Sequence, residues 1–251
     1  VRSGWAFLIA LAVSALLGGC GEGSGRPALV VSAAASLQKA FTMYAQQFPG
    51  ATVRFSFAGS DALAAQIEHG VRPDVFASAN EVLPVALYGR GLVEKPSVFA
   101  ANRLVLAVPA GSKVTDLGGV ERRGVSIAVG TPTVPVGAYT QTVLGRLPAD
   151  RRHVLLADVV DREPDVSGIV GKLTEGAVNA GFLYATDVAA THGALRAIPL
   201  PPQLQPRVAY AAAIVTGAQR RGLAQRFIAG LQHGAGQRDL LASGFLPPPR
   251  T

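Results

Sequence analysis

From Ala28 onward, short apolar runs rich in β-branched residues alternate with segments whose apolar residues recur every three or four positions. ALVVSAA (28–34), VRFSFAG (53–59), DVFASA (74–79), RLVLAVP (103–109), VSIAVG (125–130), VLLADVV (154–160), AGFLYA (180–185) and VAYAAAIV (208–215) read as strands. Most are apolar throughout rather than alternating, as in sheets covered on both faces. Between them, Leu37, Phe41, Tyr44 and Phe48 keep helical spacing, as do Leu63 with Ile67, Val143 with Leu147, and Leu223, Phe227 and Leu231. Strands alternating with helices predict βαβ units, an α/β fold and largely parallel sheets. No tandem sequence repeat accompanies the alternation.

Two segments read as passages between lobes: FAANRLVLAVPAG (99–111) and the proline-laden PLPPQLQPRVAYAAAIV (199–215), which is stiff and extended. They divide the chain into a first lobe, 28–104 with 205–251, and a second lobe, 105–204. Two crossings make a hinge, and ligands of such sheets bind beyond the carboxyl ends of the strands. With 49% apolar and only 16% charged residues the chain is a folded protein. Its net charge of +7 rests on scattered arginines, rarely interleaved with aromatics, so no basic stripe for nucleic acid is present and none is expected as a partner.

The start of the sequence, VRSGWAFLIALAVSALLGGC, has one arginine, an apolar core from Trp5 to Leu17, and small residues before Cys20. The core is too short for an ordinary spanning helix and fits a signal peptide over 1–19. Leu17-Gly18-Gly19-Cys20 resembles the lipobox of bacterial lipoproteins, which implies cleavage before Cys20, acylation of its thiol, and an extracytoplasmic protein held at the cell membrane by its lipid. Cys20 is the single cysteine, so no disulfide within the chain and no multi-cysteine metal site can form. Residues 20–27 are a flexible tether by composition.

No HExxH, GxSxG or Walker pattern occurs, and the four histidines stand apart from any motif. The acidic stretch ADVVDREPD reads as a loop with helix-capping carboxylates ahead of a calcium site. Two strand-to-helix turns carry more. Ser36 and Ser60 each stand where a helix begins, and singly each reads as an N-cap. Together, with their helix mouths facing one cleft, they offer hydroxyls and free N–H groups to an anion. A third mouth falls at Val136-Gly137, and a fourth at Asp165-Val166, where Asp165 caps and leaves the N–H of Val166 free.

The ordered motifs AASL (34–37), FAGSDALAAQIEHG (57–70), PDVFASANE (73–81), GTPTVPVGAY (130–139) and GFLYATD (181–187) resemble those of the periplasmic molybdate-binding proteins of bacterial ABC importers. The likeness runs from about Ala28 to Phe245. It implies a two-lobed, type II periplasmic binding protein fold with the ligand between the lobes. It also implies a tetrahedral oxyanion, molybdate or tungstate, held by the hydroxyls of Ser36 and Ser60, the backbone N–H groups of Val136 and Val166, and the hydroxyl of Tyr184. Val136 departs from the small alanine common there, the loop before it is one residue short, and Ala211 replaces a frequent proline.

The resemblance further implies a monomer, not an enzyme, without cofactor or directly coordinated metal, that delivers its anion to an ABC permease and its ATPase. A dianion can be held by neutral dipoles alone, since each hydrogen bond to a charged group contributes roughly 1.5–3 kcal/mol. Asp74 is assigned to structure, because a carboxylate in the site would repel the ligand. The rivals are a sulfate or phosphate receptor of the same fold and, from another class, a lipid-anchored serine hydrolase.

Overall fold

The computed structural model describes residues 26–121 and 124–249. Residues 1–19 and Cys20 lie outside the described residues. The strands gather into two five-stranded sheets. In the first, the order is β2 (Thr52–Ala58), β1 (Ala28–Ala34), β3 (Val75–Ser78), β10 (Val208–Ile214), β4 (Ser97–Asn102). In the second it is β7 (Val159–Glu163), β6 (Ile127–Gly130), β8 (Ala180–Tyr184), β5 (Leu104–Pro109), β9 (Leu195–Pro199). Both sheets have the same plan. Three parallel strands lie beside one reversed strand, and the last strand pairs antiparallel with that one.

The reversed strand in each sheet, β5 or β10, is the one that has just arrived from the other sheet. Only Arg103 separates β4 from β5, so the passage expected over 99–111 is two strands joined at a single residue. The return runs between β9 and β10, through Pro201, Pro202 and Pro206. The result is a mixed α/β fold of two lobes, with each sheet mixed rather than wholly parallel.

Helices cover the sheets. The first sheet carries α1 (Gln38–Gln47), α9 (Arg221–His233) and α10 (Ala235–Ala242) over one core, in which Phe41, Tyr44, Phe48 and Phe227 stack at ring separations of 4.8–5.6 Å. A smaller core on its other side takes Leu63 and Ile67 of α2 (Ser60–Glu68) and Leu87 of α3 (Val82–Gly89) against Phe76 and Ala213. Burial on both faces explains why β10 is apolar from end to end and why β1 and β3 are apolar but for one buried serine each, Ser32 and Ser78. The run VLLADVV is an exception. Val154–Ala157 closes the helix α6 (Ala149–Ala157), and the strand begins only at Val159, where VVDRE alternates in burial as the edge of the second sheet.

Asp74 precedes β3 at the end of the sheet away from the strand-to-helix turns. Its carboxylate accepts the backbone N–H groups of Val30 at 2.9 Å and Arg220 at 2.8 Å, fastening three segments together. This is the structural role expected of it. The acidic stretch also resolves into structure: Asp161 pairs with Lys172 at 2.8 Å, and Asp165 caps α7 (Val166–Thr174). Among the described residues no cluster of His, Cys, Asp and Glu is fit to hold a metal ion, and no helix is long and apolar enough to cross a membrane.

Candidate functional site

At the carboxyl ends of β1, β2, β6, β7 and β8 the chain turns into helices that face one another across the lobes. Ser36 lies in the 3-10 turn Ala35–Leu37 after β1, Ser60 opens α2 after β2, and Val136 is the second residue of α5 (Pro135–Gly145). Val166 opens α7, and Tyr184 ends β8. All five residues line one cavity of about 20 Å³. In the sequence, Ser36, Ser60, Val136 and Val166 stand at four separate helix mouths and Tyr184 comes from the resemblance; in the fold all five border this one cavity.

The N-cap reading of the two serines does not hold. Ala34 and Gly59 occupy the cap positions, and neither serine hydroxyl caps its helix. Tertiary partners take the hydroxyls instead. Ser60 Oγ accepts the N–H of Ala79 at 3.1 Å, which leaves its own hydrogen available. Ser36 Oγ stands 3.0 Å from the hydroxyl of Tyr210. Both serines are buried.

The other donors are helix mouths. Asp165 caps α7 as expected, taking the N–H of Ser167 at 2.7 Å and of Gly168 at 3.3 Å. The N–H of Val166, one residue earlier, has no acceptor within its helix. On α5, Pro135 fixes the first turn and Val136 follows with an equally free N–H. Gly137 is required there, since a Cβ would lie 1.9 Å from the carbonyl oxygen of Thr131. Helix N-termini carry partial positive charge, so they favour an anion without any cationic side chain. Among the described residues no lysine or arginine lines this cavity.

Tyr184 supplies the most telling atom. Its side chain is 1% exposed, and its hydroxyl has no hydrogen-bond partner. Burial pushes the phenol well above its ordinary pKa, so it stays a protonated donor. A buried donor left unpaired costs about 1–3 kcal/mol, and proteins rarely retain one without a use. A larger groove of about 600 Å³ adjoins Ser36 and Val166 on the side of α1 and α7. Its wall includes Asp187, a carboxyl that burial raises to about 7, partly offset by the N–H of Tyr184. Of the five candidate donors only Ser36 and Val166 reach that groove, whereas all five line the smaller cavity, which is therefore the candidate site despite its size.

The lobes meet closely here. A Cβ on Gly59 would stand 2.4 Å from the carbonyl oxygen of Pro164 in the second lobe. At the lip, Thr133 donates to Asp61 across the cleft at 2.6 Å. In the sequence Gly59 is simply the residue that ends the run VRFSFAG before Ser60. Its part in lobe contact, and the positions of Ala79 and Tyr210 beside the serines, were not visible there. The lone tyrosine inside the otherwise apolar strand VAYAAAIV was the one available signal.

Two lobes of this shared plan, with a cleft lined by hydroxyls and helix N-termini, define a type II periplasmic solute-binding protein. The chain belongs to the family of bacterial extracellular solute-binding proteins, whose pattern matches residues 29–246. It is 33% identical over 235 residues to the molybdate-binding protein ModA of Mycobacterium tuberculosis, covering 91% of this chain and 88% of that protein. To the ModA of Haemophilus influenzae it is 29% identical, over 95% of this chain and 98% of that one.

Among solved structures, the periplasmic molybdate-binding protein of Azotobacter vinelandii superposes with a TM-score of 0.79 at 22% identity, covering 88% of this chain and all of that one. The sulfate-binding protein SubI of M. tuberculosis superposes almost as well, at 0.77 and 17% identity, over 88% and 87% of the two chains. At such identities these likenesses establish the fold alone. The family is one of non-catalytic transport proteins, so the chain is not an enzyme and the serine hydrolase reading falls.

Proposed function

We propose that this chain captures molybdate, and tungstate with it, as the extracytoplasmic receptor of an ABC importer. The unpaired, buried hydroxyl of Tyr184 in a donor-lined cavity carries the reading. Ser36 and Ser60 approach the anion from the first lobe, and Val136 N–H, Val166 N–H and Tyr184 approach it from the second. The relatives named for molybdate support the choice of anion. Several charge-assisted bonds at roughly 1.5–3 kcal/mol each exceed an association cost of about 4 kcal/mol or more, so neutral donors suffice.

The lobes, 28–104 with 205–251 and 105–204, close about Arg103 and the 200–207 passage. The closed, loaded form is handed to a permease and its ATPase. Acylated Cys20 keeps the monomeric receptor at the membrane, where one chain alone anchors poorly and more than one acyl group is expected. Intact-mass analysis of protein extracted from membranes is expected to show a lipid-modified Cys20 as the first residue. An unmodified Cys20 in that fraction contradicts the anchor.

Tyr184→Phe tests the site. The substitution keeps the ring, which packs on Tyr139 and Tyr210 at 6.3 and 5.7 Å, and removes only the donor. Calorimetry with molybdate is expected to show a loss of roughly 1.5–3 kcal/mol. The unliganded variant should melt at or slightly above the wild-type temperature, because a buried unpaired hydroxyl has gone. Unchanged affinity would return Tyr184 to the core.

A further inference from the structure

The anion cavity is bordered by turns from both lobes, so whatever holds those turns together decides how long an anion stays. Ser60 belongs to the first lobe, while Val136 and Val166 stand on two turns of the second. The turn Gly59-Ser60-Asp61 touches both of them. A Cβ at Gly59 would meet the carbonyl oxygen of Pro164, before α7, at 2.4 Å and Cγ1 of Val134, before α5, at 3.4 Å. Beside these packing contacts stands a side-chain hydrogen bond between the lobes. Thr133 Oγ1 donates to Asp61 Oδ2 at 2.6 Å.

The chemistry of this bond favours it. An ionised carboxylate only accepts, so the shared hydrogen is the one on threonine. Hydroxyl bonds to a charged acceptor are short and about twice as strong as neutral ones, and the distance here fits that class. Asp61 is held ready, since its Oδ1 accepts the N–H of Ala62 at 2.8 Å and leaves Oδ2 to Thr133. Thr133 stands between Pro132 and the Val134-Pro135 entry to α5, in a loop tied by the N–H of Val134 on the carbonyl of Thr131 at 3.2 Å. Proline on either side restricts this loop, so little freedom is lost when the bond forms.

The place of the bond matters equally. Neither Asp61 nor Thr133 lines the anion cavity, and Thr133 is exposed, so the pair sits at the lip and touches no ligand. The bond from Asn102 to Thr186, also between lobes at 2.8 Å, is buried beside the β4–β5 crossing, where the lobes pivot and do not part.

We propose that Asp61 and Thr133 form a latch that sets the release rate of the bound anion, joining the turn of Ser60 to the turn of Val136 until the lobes separate. The inference rests on the oxyanion reading above. An anion enters an open cleft, in which the two residues are apart. The latch therefore raises the barrier to release and leaves the barrier to entry nearly unchanged, so affinity shifts through the off-rate.

The test is a chase on the full receptor. Protein loaded with radiolabelled molybdate is mixed with excess unlabelled molybdate, and the label retained is followed in time; association is timed separately. Thr133→Val keeps the shape of the side chain and removes the hydroxyl. We expect release about tenfold faster, with association within about twofold of wild type and no change in the melting temperature without ligand. Thr133→Ser restores the hydroxyl and should release within about twofold of the wild-type rate. In an Asp61→Ala background, Thr133→Val should alter release by less than about twofold, because its acceptor has gone.

Wild-type release from Thr133→Val, or an equally large effect of that substitution in the Asp61→Ala background, overturns the latch. Failure of the wild type to hold molybdate overturns the ligand reading instead. The same chase with radiolabelled sulfate then tests the latch, which acts on the lobes whichever oxyanion lies between them.

Discussion

Gly59→Ala is expected to weaken molybdate binding by about a hundredfold or more while leaving the unliganded protein folded. The backbone of Gly59 is in an ordinary conformation, at φ −57° and ψ 136°, and the one close approach within its own lobe, 2.9 Å to Asp61 Oδ1, is to a side chain that can turn aside. The effect comes from across the cleft. The added Cβ would lie 2.4 Å from the carbonyl oxygen of Pro164, a backbone atom that has no rotamer through which to retreat. Relief requires the second lobe to withdraw. Withdrawal carries Val136, Val166 and Tyr184 away from Ser36 and Ser60, and hydrogen bonds weaken steeply with such misplacement. Losing two charge-assisted contacts costs about 3 kcal/mol, which is the hundredfold.

The contact lies between the lobes rather than inside either core, so the melting temperature without ligand should change little. Gly89→Ala is the control. A Cβ at Gly89 meets nothing within 4 Å, and that variant should bind as the wild type does. Wild-type affinity in Gly59→Ala would mean that the site does not need this approach of the lobes.

The strands with a continuous apolar pattern were readable because both their faces are covered. ALVVSAA coincides with β1, and AGFLYA and VAYAAAIV each run one residue beyond β8 and β10. β4 and β9 were hidden for different reasons. SVFAAN runs into the next strand with only Arg103 between, and LRAIP is a half-buried edge strand whose pattern is too short to register. The reversal of β5 and β10 follows from the crossings, which local sequence does not encode.

The five site residues were carried by motif order, and the fold gathers them. The partners of those residues were illegible. Ser36 meets Tyr210 across 174 positions, and Ser60 meets Ala79 across 19. Local rules therefore assigned both serines to caps. A capping serine and a ligand serine look alike until the residue that occupies the hydroxyl is known.

Selectivity among oxyanions is the second large effect. The fold does not decide it, since the superposition on a sulfate-binding protein is almost as close as that on a molybdate-binding one. Molybdate, tungstate and sulfate are all tetrahedral dianions near neutral pH, so charge does not separate them either. Size does. Metal–oxygen bonds are longer than sulfur–oxygen bonds, and the donors here sit on helix mouths whose separation the closed lobes fix.

A smaller anion cannot reach Ser36, Ser60, Val136, Val166 and Tyr184 at once, and the donors it misses stay buried and unpaired. Two missed contacts amount to about 3 kcal/mol. Phosphate has a further handicap. It carries a proton near neutral pH, and the Asp165 carboxylate on the cavity wall is already committed to the N–H groups of Ser167 and Gly168. Val136 lines the cavity, so its side chain bears on the size match.

Competition calorimetry of the purified wild-type protein with molybdate, tungstate, sulfate and phosphate, at one pH and one salt concentration, is the most direct measurement of this claim. The account predicts that molybdate and tungstate bind with similar affinity, and that sulfate binds about a hundredfold more weakly, with phosphate weaker still. Sulfate binding as tightly as molybdate would leave the two-lobed receptor intact and contradict the assignment of its ligand.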